Sequence, residues 1–119
     1  MSKIMHVEDN AAIRESVKLV LEKEGHEVVS YETAAAAIAA LAEVKPDLAI
    51  LDIMMESMDS GLEVNEKIQK LQPGLPCIFL TSLGEEVQQI FAGRLQTGQI
   101  LQKPVKPETL LPLVKKMLH

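Results

Sequence analysis

Three acids, two hydroxyls and a lysine each stand where a short apolar run of this sequence ends. Glu8 and Asp9 follow Ile4-Met5-His6-Val7. Asp52 closes Leu48-Ala49-Ile50-Leu51. Thr81 and Ser82 follow Cys77-Ile78-Phe79-Leu80, and Lys103-Pro104 comes just after Ile100-Leu101. Carboxylates gathered in a partly dry cleft repel one another, so either a proton or a cation must sit among them. A hard divalent ion with oxygen ligands fits such a set. Mg²⁺ fits better than Zn²⁺, because no Cys or His follows these runs. Mg²⁺ keeps several waters and favours sites shared with phosphate oxygens. Thr81 and Lys103 would hold those oxygens from the other side, one by hydrogen bond and one by charge. A carboxylate in that setting can be the nucleophile that accepts a phosphoryl group. Such a transfer asks the protein mainly for positioning and charge neutralisation. Asp52 is the best candidate, because the run it ends is the most continuously apolar and therefore the most central.

These residues converge only if the runs are neighbouring strands, and the pattern between them supports that. Five short apolar runs alternate with five helical stretches. Ile13, Val17, Val20 and Leu21 form a helical face that Gly25 ends. Val28-Val29-Ser30-Tyr31 reads as a second strand. Thr33 can cap the alanine-rich stretch Ala34 to Ala42, and Pro46 precedes the third run. Leu62 to Leu71 is helical up to Pro73-Gly74. Val87, Ile90 and Phe91 mark a weak fourth helix, and Leu110, Leu111, Val114, Met117 and Leu118 a last amphipathic one. Continuous rather than alternating hydrophobicity belongs to strands covered on both faces. The expectation is an α/β domain, (βα)₅, with a doubly wound five-stranded parallel sheet and right-handed crossovers. In an open parallel sheet ligands bind at the carboxyl ends of the strands, where these side chains lie. Pro112 conflicts with a helix starting at Pro107, so regular helix is expected to begin near Thr109.

Composition narrows the function further. The 119 residues suit one domain spanning 1–119, with 47% apolar residues to build its core. The balance of 12 Lys and Arg against 17 Asp and Glu gives −5, which argues against a nucleic-acid-binding domain. Tyr31, Phe79 and Phe91 are the only aromatics, so stacking on bases or sugars is poorly supported. Cys77 has no partner for a disulfide and reads as a small core residue in a reducing compartment. No apolar run approaches the ~20 residues of a membrane span, and no signal peptide is evident, so a cytoplasmic location is expected. His6 falls mid-strand and reads as a packed core residue rather than a ligand.

Ile4 to Asn10, Leu51-Asp52-Ile53-Met54-Met55, Met58 to Val64, Leu80-Thr81-Ser82 and Lys103-Pro104-Val105 occur in an order that resembles the receiver domain of two-component response regulators, of the chemotaxis-regulator type. The resemblance spans nearly the whole chain. It implies a flavodoxin-like fold with strand order 2-1-3-4-5. It also implies transfer of a phosphoryl group from a phosphohistidine of a histidine kinase or phosphotransfer protein onto Asp52. Carried over by position, Glu8, Asp9, Asp52 and the backbone carbonyl of Met54 would hold Mg²⁺. Thr81 would be the switch hydroxyl and Lys103 the phosphate-contacting lysine, its peptide bond to Pro104 cis. Such a domain is a switch rather than a turnover enzyme. Its downstream output domain or protein would bind the surface formed by the fourth helix, fifth strand and last helix, with no direct contact to nucleic acid or membrane.

The chain departs from that pattern in several places. Glu8 stands where Asp is commoner, Glu56 where Pro is usual, and Ser60 looks like an insertion before Gly61. Gln96-Thr97-Gly98 replaces a small-residue pattern. Ile100 occupies the position where receivers generally carry Tyr or Phe, the ring that moves with the threonine. Three rival readings ask for other residues. A degenerate receiver acting as a phosphorylation-independent binding module is opposed by Asp52, Thr81 and Lys103, while Ile100 and Glu56 keep it open. An aspartyl-phosphate phosphohydrolase of the haloacid dehalogenase type would need Asp at position 54, where Met stands. A flavin carrier would need a phosphate loop where Glu8-Asp9 would repel one.

Overall fold

The computed structural model describes residues 2–52, 60–81, 98–103 and 105–118, with side chains left undescribed at 60–63, 98, 99 and 102. Five strands, β1 (Lys3–Val7), β2 (Glu27–Tyr31), β3 (Leu48–Asp52), β4 (Cys77–Thr81) and β5 (Gly98–Gln102), form one sheet in the order β2-β1-β3-β4-β5. Every pairing is parallel. This is the doubly wound order expected. Among the described residues the helices are α1 (Ala11–Lys23), α2 (Ala34–Val44), α3 (Ser60–Leu71) and a C-terminal helix (Pro107–Met117). The helical stretch anticipated around Val87 to Phe91 lies outside the described residues, as do Met54, Glu56 and Pro104.

Side-chain alternation along each strand divides the core in two. Met5, Leu51, Cys77 and Phe79 face α2 and α3, where Leu41 and Ile68 meet them. Ile4, Ile50, Ile78 and Leu80 face α1 and the C-terminal helix, where Leu21 and Val114 meet them. All five residues of β3 and all five of β4 are buried, which is why those runs are apolar without alternation. Chain order reverses direction at β1: β2 lies on one side of it and β3 on the other. That switch point opens a crevice beyond the carboxyl ends of β1 and β3.

Local chemistry sets where the helices start and stop. The Asn10 side chain accepts a hydrogen bond from the Ile13 amide at 3.1 Å, and Thr33 accepts one from the Ala36 amide at 3.1 Å. Gly25 and Gly74 take positive φ, 89° and 86°, where the chain turns from a helix toward the next strand. The C-terminal helix corrects the expectation for Pro112. It begins at Pro107, not near Thr109, and Pro112 sits inside it. Pro107 suits the first helical position, where an amide would have no partner. Pro112 and Glu108 are both exposed, so the carbonyl that Pro112 cannot bond faces water, while Leu110 and Val114 hold the helix on the sheet. Burial of one face outweighs one missing hydrogen bond.

His6 is fully buried on the α1 side of the sheet, as the core reading required. Neither ring nitrogen has a hydrogen-bond partner among the described residues. Burial, with the positive charges of Lys103 and Arg14, lowers its pKa from 6.5 to about 4. The unfolded chain therefore takes up this proton at a higher pH than the folded one does. The contribution of His6 is present above pH 6.5 and lost as pH falls toward about 4. The stability difference between wild type and His6→Leu, from urea titrations, should move against wild type over that window. A difference independent of pH would refute it. Pro112→Ala should restore a helical amide and raise stability by about 2 kcal/mol, the net of the helix penalty and the looser unfolded chain. Unchanged or lower stability would mean that the proline serves another contact.

Candidate phosphoacceptor and metal site

Glu8, Asp9, Asp52, Thr81 and Lys103 come to the carboxyl end of the sheet from four different strands. Glu8 and Asp9 follow β1, Asp52 ends β3, Thr81 ends β4 and Lys103 follows β5. Glu8, Asp52 and Thr81 are buried, and Asp9 is exposed. One carboxylate oxygen from each of Glu8, Asp9 and Asp52 lies within 4.8 Å of the others. The Lys103 ammonium joins two of the three: Nζ donates to Asp52 Oδ2 at 2.8 Å and pairs with Glu8 Oε1 at 2.9 Å. The Lys103 side chain is only 19% exposed.

The backbone around these groups is tied down. The Glu8 amide donates to the Tyr31 carbonyl at 3.0 Å, carrying the β1–β2 ladder past the strand end. The Lys103 amide donates to the Thr81 carbonyl at 2.6 Å, so the loop after β5 is pinned to the end of β4. The second Glu8 oxygen, Oε2, accepts from the Asn10 amide at 3.2 Å. Arg14 reaches back from α1, and its Nη1 donates to the carbonyls of Glu8 at 2.9 Å and Asp9 at 3.1 Å. The sequence pattern does not single out Arg14 or the Thr81 carbonyl. A cation in the first turn of a helix, where the dipole favours acids, is the available signal for Arg14. A backbone acceptor leaves no signal in residue type at all.

The electrostatics match a site short of positive charge. Burial pushes the Glu8 carboxyl from 4.5 up to about 7; Lys103 pulls against that and the Asp52 charge reinforces it. Burial alone would lower the Lys103 pKa, but its contacts with Asp52 and Glu8 outweigh that and raise it. Among the described residues, two of the three clustered carboxylates, Glu8 and Asp52, pair with the one Lys103 ammonium. Three convergent hard oxygen donors, one raised in pKa by its surroundings, fit a divalent cation such as Mg²⁺. The Met54 carbonyl, the fourth expected ligand, lies outside the described residues.

Ile100 pairs with Phe79 in the β4–β5 ladder and packs, half-buried, against the core cluster on the α2 and α3 face. An aliphatic side chain thus fills the space at the position of the missing ring. Cys77 is buried, as expected of a core residue, and its Sγ donates to Asn65 Oδ1 at 3.4 Å. Burial pushes the thiol up to about 12, which makes it unreactive. No described helix is long and apolar enough to cross a membrane.

Similarity to known proteins agrees with this geometry. The family model for the response regulator receiver domain matches residues 4–115. The transcriptional regulatory protein ResD of Bacillus subtilis is 34% identical over 118 residues, covering 99% of this chain and 48% of ResD. The transcriptional regulatory protein GlrR of Escherichia coli is 33% identical over 116 residues, covering 98% of this chain and 26% of GlrR. The chain thus spans about a quarter to a half of the length of these curated relatives. A CheY-like receiver domain protein from Methanospirillum hungatei superposes with a TM-score of 0.89 at 34% identity, covering 99% of this chain and 94% of that one. With a family match over residues 4–115 and a receiver domain structure that superposes over 99% of its length, this chain belongs to the response regulator receiver domain family.

Proposed function

We propose that this domain accepts a phosphoryl group on Asp52 from a phosphohistidine presented by a kinase or phosphotransfer protein, and so switches a protein-binding surface. The observation that carries this reading is the position of Lys103 Nζ, 2.8 Å from Asp52 Oδ2 and 2.9 Å from Glu8 Oε1, at the switch point of the sheet. A buried carboxylate beside a lysine and two further acids is equipped to receive a phosphoryl group, not merely to cap a strand.

Asp52 is the nucleophile in this account. One of its oxygens attacks phosphorus in line, the P–N bond breaks, and the bonding pair stays with the leaving imidazole. Lys103 meets the negative charge of the transferred group, and the Thr81 hydroxyl donates to one of its oxygens. Glu8, Asp9 and Asp52 would hold a divalent cation, which when bound neutralises part of the charge that these acids and the phosphoryl group concentrate. Water later attacks phosphorus, the P–O bond to Asp52 breaks, and inorganic phosphate leaves with the carboxylate restored. The domain is a switch in this reading, not a turnover enzyme. Residues 1–119 act as a single unit, in the cytoplasm. The acyl phosphate biases two pre-existing conformations that differ at β5 and the C-terminal helix, where an output domain or protein docks. Ile100 anchors that region without a ring to swing inward.

Incubation with Mg²⁺ and acetyl phosphate should add one phosphoryl mass to wild type and none to Asp52→Asn. Equal labelling of the two would overturn the assignment. The buried Glu8 gives a second test. Its folded-state pKa is raised, so its proton is held more tightly in the folded state than in the unfolded chain. Metal-free stability should therefore fall as pH rises from 4.5 through about 7, relative to Glu8→Gln. Saturating Mg²⁺ should flatten that difference; a slope that Mg²⁺ leaves unchanged would remove Glu8 from the cation site.

A further inference from the structure

We propose that Arg14 is a positioning residue for the divalent cation, its guanidinium fixing the backbone of Asp9 so that this carboxylate completes the three-acid cluster. This rests on the proposed divalent site. The three acids are held in unequal ways. Asp52 ends β3 and accepts from Lys103 Nζ at 2.8 Å. Glu8 is tied at its amide to the Tyr31 carbonyl at 3.0 Å, at Oε1 to Lys103 at 2.9 Å and at Oε2 to the Asn10 amide at 3.2 Å. Asp9 is exposed, and among the described residues its carboxylate makes no hydrogen bond or ion pair. Its one hydrogen bond among them comes from Arg14 Nη1 to its carbonyl, at 3.1 Å.

Arg14 gathers the whole turn between β1 and α1. Nη1 donates to the carbonyls of Glu8 at 2.9 Å and Asp9 at 3.1 Å, and the Arg14 amide donates to the Asn10 carbonyl at 3.0 Å. One residue thus holds three successive carbonyls. Glu8 has other anchors and Asp9 has none, so the effect on the site passes through Asp9. The Asp9 carboxylate still turns about its own side-chain bonds, but from a fixed backbone that brings one of its oxygens within 4.8 Å of those of Glu8 and Asp52. Arg14 stands in the first turn of α1, where the helix dipole disfavours a cation. Its charge also repels any cation that the neighbouring acids would bind. On charge alone Arg14 hinders metal binding. As an anchor it favours metal binding, because a ligand already in place loses less freedom when the ion arrives. The two effects have opposite signs, and positioning is the larger.

Calorimetric Mg²⁺ titrations of wild type and Arg14→Met separate them. Arg14→Met should weaken Mg²⁺ binding by about tenfold, the lower end of what outer partners of metal ligands contribute. Unchanged or tighter binding would leave only the charge effect and overturn the proposal. Carboxyl ¹³C shifts locate the loss. In wild type both Glu8 and Asp9 should move on Mg²⁺ saturation; in Arg14→Met, Glu8 should still move and Asp9 should lose most of its change. An Asp9 shift as large in the variant as in wild type would refute positioning through Asp9. Absence of Mg²⁺ binding by wild type would overturn the divalent site itself. A measurement on wild type alone covers a variant that fails to fold. Metal and the Arg14 hydrogen bonds must strengthen each other reciprocally, so hydrogen exchange at the Arg14 guanidinium should slow on Mg²⁺ saturation. Exchange that is unchanged or faster would contradict the proposal.

Discussion

The Lys103 ammonium, shared between Asp52 and Glu8, is the interaction on which the rest of the site depends. Two buried carboxylates at the mouth of a sheet are a liability for the fold, because each has lost water and each raises the energy of the other. A positive charge has to reach them. β5 is two strands removed from β3, roughly 10 Å at ordinary strand spacing. The lysine covers that distance because its own amide is bonded to the Thr81 carbonyl, at the end of the strand next to β3. The chemistry at Asp52 therefore depends on a backbone hydrogen bond at the end of a neighbouring strand as well as on the side chains that face it.

The same contact links the site to the domain's far edge. Lys103 lies between β5 and the C-terminal helix, and that helix packs through Leu110 and Val114 onto the face of the sheet that carries Ile50 and Leu80. β5 also sends Ile100 to the opposite face, against the cluster that includes Phe79. A change in where the ammonium rests thus acts on an edge strand that touches both cores. That arrangement suits a bistable device, since packed cores change by discrete rearrangement and not by continuous deformation.

Much of this is legible in the sequence. The continuous runs Leu48 to Leu51 and Cys77 to Leu80 announce central strands, and the residues after each run name the site. Strand order comes from a resemblance and not from the runs themselves, which carry no record of which strand neighbours which. Pro112 misleads, because a local rule about helix interiors is outweighed by burial of Leu110 and Val114 on the opposite side of the helix. Arg14 and the Thr81 carbonyl escape notice for a different reason. They act through backbone groups, and the pairing of Lys103 with Glu8 depends on side-chain reach, which residue types at separate positions do not encode. The sequence points Lys103 at phosphate oxygens; in the structure it pairs with Glu8 and Asp52.

The central claim is that Asp52 receives the phosphoryl group while Lys103 moves from Glu8 to meet it. A crystal structure of the domain with Mg²⁺ and beryllofluoride, a mimic of the acyl phosphate, tests both halves at once. We expect beryllium bonded to an Asp52 carboxylate oxygen, with Lys103 Nζ on a fluoride and no longer paired with Glu8. Beryllofluoride absent from Asp52, or Lys103 still paired with Glu8 in the bound state, would contradict it.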